Sequence, residues 1–143
     1  YFLSSSDAEN AAIDSGAAGP GWVRTGEAFG AIAPDACHGS RPVQRFYTHG
    51  ANTHFFTVDA GECGFVRRAD PGWIHEGEAF GAYTPLYGQC PARTVPIRRV
   101  YNNRWMFNDS NHRFVARAVL YEQMLARGWI GEGVVMCLWD GNS

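Results

Sequence analysis

The chain contains no apolar run long enough to cross a bilayer, no block of like charge and no signal-peptide pattern. Its 12 basic and 14 acidic residues leave a formal net charge of -2, so the basic face that a nucleic acid requires is not there. Signatures of catalysis are missing as well: no Gly-x-Ser-x-Gly activates a serine, and no His-Glu-x-x-His holds zinc. Cysteines number four, without a Cys-x-x-Cys, which argues against a structural zinc site. Asp109 and Asp140 lie among Asn, Gly and Ser, but too few acidic ligands gather there for a calcium loop, and a turn is the reading. Neither a metal nor a cofactor is therefore expected. What remains is a chain of 143 residues, enough for one domain with its own core, with 14% aromatic and only 18% charged residues. That balance suits a rigid extracellular domain better than a disordered or coiled segment.

Against these absences stands a repeat. Trp73-Ile74-His75-Glu76-Gly77-Glu78-Ala79-Phe80-Gly81-Ala82 has a copy upstream, Trp22-Val23-Arg24-Thr25-Gly26-Glu27-Ala28-Phe29-Gly30-Ala31, and a third in Trp129-Ile130-Gly131-Glu132-Gly133-Val134-Val135-Met136. The tryptophans are 51 and 56 residues apart (73 − 22 and 129 − 73), a period that marks repeat architecture. Further positions recur in register: Pro42 with Pro96, Arg45 with Arg99, Tyr47 with Tyr101 and His54 with His112.

The second unit shows the plan. A strand over 42–48, a turn over 49–52 and a strand over 53–58 lead into a helix capped by Asp59; Asp70-Pro71-Gly72 stops it, and Trp73 opens a further strand. The third unit repeats this with strands over 96–101 and 111–114 and a helix over about 116–127, with Gly128 as its C-cap. In the first unit, 1–5 reads as the end of a strand, Ala8–Ser15 as a short helix and Trp22 onward as a half-buried strand. This unit lacks its opening strand and the position matching His54. The expected fold is thus α+β: three β-β-α-β repeats in a pseudo-threefold arrangement, the first incomplete at its N-terminus. A single repeat domain over 1–143, with units of about 1–34, 42–85 and 96–139, is read as the C-terminal part of a longer secreted protein.

Cys37 and Cys90 fall at matching places, 15 and 17 residues after Trp22 and Trp73 (37 − 22 and 90 − 73). Each is assigned a partner in the following unit, Cys37 with Cys63 and Cys90 with Cys137, although four cysteines permit three connectivities. Disulfides imply an oxidising compartment, hence a secreted or extracellular protein, periplasm included.

Arg-x-Tyr, a short turn, Thr/Asn-His-Phe/Arg-Phe, a helix and Gly-Trp-x-x-Glu-Gly-x-Ala-Phe together resemble a repeat family of unknown function, found in secreted bacterial and fungal proteins. The resemblance spans almost the whole chain and implies a tail domain beside peptidase, lipase or other hydrolase domains. Tyr101-Asn102-Asn103, Asp109-Ser110-Asn111-His112-Arg113 and Glu132-Gly133-Val134-Val135-Met136-Cys137 look like the closing unit of proteobacterial members. Three departures stand out: Thr25 at the place of Glu76 and Glu132, Arg113 for the first aromatic after histidine, and Val115 for Thr57. They leave at most two intact His/Glu sites.

His54 with Glu76 and His112 with Glu132 could be pairs for proton transfer. A scaffold role is preferred, because catalytic sites are usually singular while scaffolding repeats with the scaffold; the pair then satisfies itself and nearby backbone. Arg45 and Arg99 are read as clamps on carboxylates or carbonyls, and Trp22, Trp73 and Trp129 as core plugs at helix-to-strand junctions rather than sugar platforms. Ligand-binding residues are sought where the copies disagree: Trp105, edged by Asn102, Asn103, Asn108 and Asp109, together with Tyr83 and Tyr87.

The functional expectation is a non-catalytic secreted binding module for carbohydrate or cell-surface polysaccharide. A structural or assembly subunit of an extracellular complex is the alternative, and a hydrolase using the His/Glu pairs comes third. The partners implied are a glycan, or else a partner protein or preceding domain, with no nucleic acid and no membrane span.

Overall fold

The structure, a computed structural model, describes residues 1–69 and 72–140, and only the backbone of Ala69. Helix α1 covers Asp7–Asp14 and is followed by a long connection with one 3-10 turn, Ala36–His38. Strands β1 (Arg41–Thr48) and β2 (Thr53–Thr57), helix α2 (Ala60–Ala69) and strand β3 (Ile74–Ala82) come next. Then follow β4 (Thr94–Tyr101), a 3-10 turn at Trp105–Phe107, β5 (His112–Val115), α3 (Ala118–Ala126) and β6 (Ile130–Trp139). The fold is α+β, with two antiparallel three-stranded sheets ordered β2-β1-β3 and β5-β4-β6.

Both sheets owe their shape to the repeated motif. In β1, Val43 and Phe46 are both buried although three residues apart, a spacing that a flat strand would send to opposite faces. The register against β3 shifts after Val43 and after Arg45, where Gly77 adopts φ +98. Gly133 does the same in β6 at φ +76, beside the shifts near Arg98. These are β-bulges, and glycine supplies the left-handed conformation they need. The extra twist folds each sheet over one core of Val43, Phe56, Phe80, Ile97, Phe114, Met136 and Leu138. Phe56 and Phe114, on equivalent places of β2 and β5, meet edge to face at 5.7 Å.

The helices begin and end as their sequences dictate. Ser6 caps α1 by accepting from Glu9 N at 3.3 Å, and Asp59 caps α2 by accepting from Glu62 N at 2.7 Å. Gly128, at φ +88, closes α3. The expected stop of α2 at Asp70 and Pro71 lies outside the described residues.

Three expectations are corrected. Tyr1–Ser5 and Trp22–Ala31 form no strand; the expected helix before Trp22 is formed as α1, and beyond it only single-residue bridges at Gly30 and Ile32 pair with the sheets. Gly30 N donates to Trp139 O at 3.3 Å and Gly81 N to Ile32 O at 2.6 Å, so the segment is pinned to both sheets. Gly81 is obligatory there, since a β-carbon would stand 2.6 Å from the Ala33 carbonyl carbon. Of the two disulfides expected, Cys90–Cys137 is formed, whereas Cys37 and Cys63 are free. Cys37 sits exposed in a 3-10 turn held by its own bonds, its N–H donating to Asp35 Oδ1 at 2.9 Å, while Cys63 is carried on α2.

Among the described residues no helix is long and apolar enough to cross a membrane. Nor does any group of three or more His, Cys, Asp or Glu there gather as a metal site.

Candidate functional site

The recurring residues meet at the junctions between units. Arg99, on β4, reaches back to α2: Nη1 donates to Glu62 Oε2 at 3.0 Å and Nη2 to Glu62 Oε1 at 2.6 Å, a bidentate pair. Its Nε donates to Glu132 Oε2 at 2.6 Å, its Nη1 to Phe56 O at 3.5 Å, and its guanidinium lies 4.7 Å from the Phe55 ring centre. Only 6% of the side chain is exposed. Burial pushes the Arg99 pKa down, but hydrogen bonds and the charges of Glu62 and Glu132 more than offset this and raise it. Burial likewise pushes the Glu62 carboxyl up, yet Arg99 and Thr57 hold it below its ordinary value.

Arg45, on β1, repeats the arrangement toward α1 but leaves it unfinished. Nη1 donates to Glu9 Oε1 at 2.8 Å, Nε lies 2.9 Å from Glu76 Oε2, and the guanidinium stands 5.5 Å from the Phe2 ring centre. The side chain keeps 22% of its surface exposed. Beside it opens a cleft of about 370 Å³. Phe2, Trp22 and Tyr47 give the cleft aromatic walls; Glu9, Arg45, Asn52, His54 and Glu76 give it hydrogen-bonding groups; and Ala12, Ile13 and Ala18 close its α1 side. A pocket of this size with aromatic surface and convergent polar groups has the make-up of a small-ligand site.

Each histidine lies between a tyrosine and a phenylalanine; the Tyr101–His112 pair is stacked, while the other three ring contacts are tilted or edge-on. His54 lies 4.8 Å from Tyr47 and 4.7 Å from Phe2; His112 lies 4.7 Å from Tyr101 and 5.0 Å from Phe55. Near the N-terminus Arg113 stands 4.9 Å over Tyr1, and Tyr1 lies 6.0 Å from Trp129; His54 lies 6.1 Å from Trp22. Nε2 of His54 is 3.3 Å from Glu76 Oε2 and that of His112 is 3.7 Å from Glu132 Oε2, contacts too loose for strong hydrogen bonds. Both Nδ1 atoms are buried without a partner, so the expected satisfaction by nearby backbone is not found. Burial first, then the charge of Arg45 or Arg99, pushes the histidine pKa values down to about 4 for His54 and about 3 for His112. Both rings are neutral at physiological pH.

The residues sought as ligand contacts do not converge. Asn102 Nδ2 donates to Asp109 O, and Asn108 Nδ2 to Gly50 O, so these amides build the loop that presents Trp105. Tyr83 is bridged to Cys137 and lines a separate cleft of about 620 Å³ with His38, Arg41 and Asp59. Tyr87 is 95% exposed on its own turn at φ 50. Glu9 and Glu62 are partners of Arg45 and Arg99 that recurrence along the chain does not single out. Their signal is present in Ser6-x-x-Glu9 and Asp59-x-x-Glu62, the capping-box pattern that fixes a glutamate in the first helical turn. A third, Glu27, has a side chain only 6% exposed; it accepts from Arg117 Nε at 2.6 Å and Ala116 N at 3.3 Å.

Fold and cleft together define a small α+β domain with two like-built sheets and a ligand-sized opening at one junction. Residues 2–139 match the family described as Domain of unknown function (DUF5648), and the chain belongs to that family. Comparison with curated proteins and with solved structures finds no match.

Proposed function

We propose that this chain is a non-catalytic carbohydrate-binding module of a secreted protein, built as three related units about a pseudo-threefold axis. Its ligand site, on this reading, is the Arg45 cleft. The observation that carries it is the contrast between two arginines in register: Arg99 is sealed by Glu62, Glu132 and Phe56 O, whereas Arg45 faces a cleft with two carboxylates and three aromatic rings. Sugar rings present apolar C–H faces that stack on aromatic side chains and hydroxyls that both donate and accept. Trp22, Tyr47 and Phe2 suit the first; Arg45, Glu9, Glu76 and Asn52 suit the second.

The threefold reading is supported by three contacts in register, Phe2 with His54, Phe55 with His112 and Arg113 with Tyr1. Binding is favoured over hydrolysis by the Glu9 carboxylate. A general acid for glycoside cleavage needs a raised pKa. Burial raises that of Glu9, but Ser4 and Arg45 hold it below its ordinary value. The family resemblance to tails of secreted hydrolases and the Cys90–Cys137 disulfide accord with an extracellular accessory role. A polysaccharide pull-down and a glycan array test the proposal. Retention on at least one neutral polysaccharide is expected, and no binding above background on either removes it.

A further inference from the structure

The cleft does not account for Trp105-Met106-Phe107. These residues form one 3-10 turn and are 67%, 76% and 71% exposed. Three consecutive large apolar residues facing solvent oppose solubility, and on a globular domain they mark a binding surface. The loop that carries them is firmly built. Arg104 Nε donates to Asp109 Oδ2 at 2.6 Å, Asn111 N donates to Asn102 Oδ1 at 2.9 Å, and Asn103 and Asn108 take left-handed backbone at φ 52 and 53. Arg104, Asn102 and Asp109 bond within the loop while Asn108 and Asn111 tie it to Gly50 and Thr53, and the apolar side chains are left outward.

The loop also touches the rim of the cleft. Asn108 Nδ2 donates to Gly50 O at 2.7 Å, and Gly50 belongs to the turn that ends in Asn52, a cleft residue whose Oδ1 accepts from Tyr47 Oη at 2.9 Å. In the second unit the corresponding connection is only the turn between Thr48 and Thr53, so the shelf has no counterpart there.

We infer that Trp105–Phe107 is a second subsite for the same ligand, a shelf onto which a neutral polysaccharide continues past the Asn52 rim. The inference rests on the carbohydrate reading of the cleft. The charge at the shelf supports a neutral chain, because Arg104 and Asp109 are paired with each other at 2.6 Å, and the Arg104 guanidinium lies 5.2 Å from the Phe107 ring centre. Trp105 supplies the flat indole that a pyranose face covers, and Met106 and Phe107 widen the platform.

Chain length is the readout. The whole chain is titrated calorimetrically with cello-, xylo-, manno- and chito-oligosaccharides from two to six units long. At least one series is expected to bind, with affinity rising by about tenfold between the shortest member that binds and the hexamer, the size of effect a single aromatic anchor gives. Trp105→Ala should abolish that rise and leave the affinity of the shortest binder within about twofold; Phe107→Ala should reduce the rise in part. An affinity independent of length, or a rise that survives Trp105→Ala, overturns the shelf but leaves the cleft standing; the second result is also what a protein-docking role for these residues would give. No binding by any series overturns shelf and cleft together.

Discussion

Arg45 and Arg99 stand in register on β1 and β4, and each spans two glutamates, one from the preceding helix and one from the following strand. They differ in closure. Arg99 donates to both oxygens of Glu62 and is 6% exposed, while Arg45 reaches one oxygen of Glu9 and is 22% exposed. The same chemistry therefore serves as a buried strut at one junction and as the floor of a cleft at the other.

The consequence for stability is unequal. Removing one partner of a buried charged cluster leaves the others uncompensated, so Arg99→Ala is expected to lose about 3–5 kcal/mol. Arg45→Ala leaves Glu9 and Glu76 beside solvent in the cleft, and should lose roughly 1–2 kcal/mol. Urea unfolding of both variants measures the difference, and equal losses would contradict it.

Acid should weaken the domain well above the usual carboxylate range. Folded His54 and His112 protonate at about 4 and about 3, against an ordinary value of 6.5. Between those limits the unfolded chain binds more protons, so stability is full above about pH 6.5 and falls as pH drops toward 4 and then 3. Glu9 and Glu62, with pKa values depressed from 4.5, lose their contribution below that value, with the same sign. Urea midpoints at pH 7.5, 6, 5 and 4 should decline steadily, and His112→Phe should flatten the decline between 6.5 and 4. A midpoint constant over that range would be the contrary result.

The cysteines separate in a thiol count. Denatured without reductant, each chain should present two reactive thiols, Cys37 and Cys63. Reducing Cys90–Cys137, which closes a sequence separation of 47, should lower stability by about 2–4 kcal/mol. A count of zero thiols would mean that Cys37 and Cys63 are paired after all.

The second and third units were legible because everything that shapes them is local. The turn over 49–52, Asp59 as a cap and Gly128 as a C-cap each act within a few residues. The first unit was not, because a strand at Trp22 needs a neighbour, and only Gly30 and Ile32 find one. In the site, Arg45, His54, Glu76 and Trp22 stand out by recurrence, which points to a scaffold and does not tell an open copy from a sealed one. That difference arises where α1 packs beside Arg45 through Glu9 and leaves space at Ala12 and Ala18. Spacing along the chain carries no record of it. The pairing of Cys37 failed for the same reason, since matching positions after a tryptophan do not fix where a loop points.

Calorimetric titration with the polysaccharide best retained in pull-down tests the central claim most directly, run in parallel on the native chain, Trp22→Ala and Glu9→Gln. The account predicts saturable binding to the native chain and a loss of about tenfold or more in both variants. Glu9→Gln should lose less than about 1 kcal/mol of stability, because its pair with Arg45 is partly exposed. Affinity unchanged in both variants, or no saturable binding to the native chain, would contradict the assignment of the Arg45 cleft as a carbohydrate site.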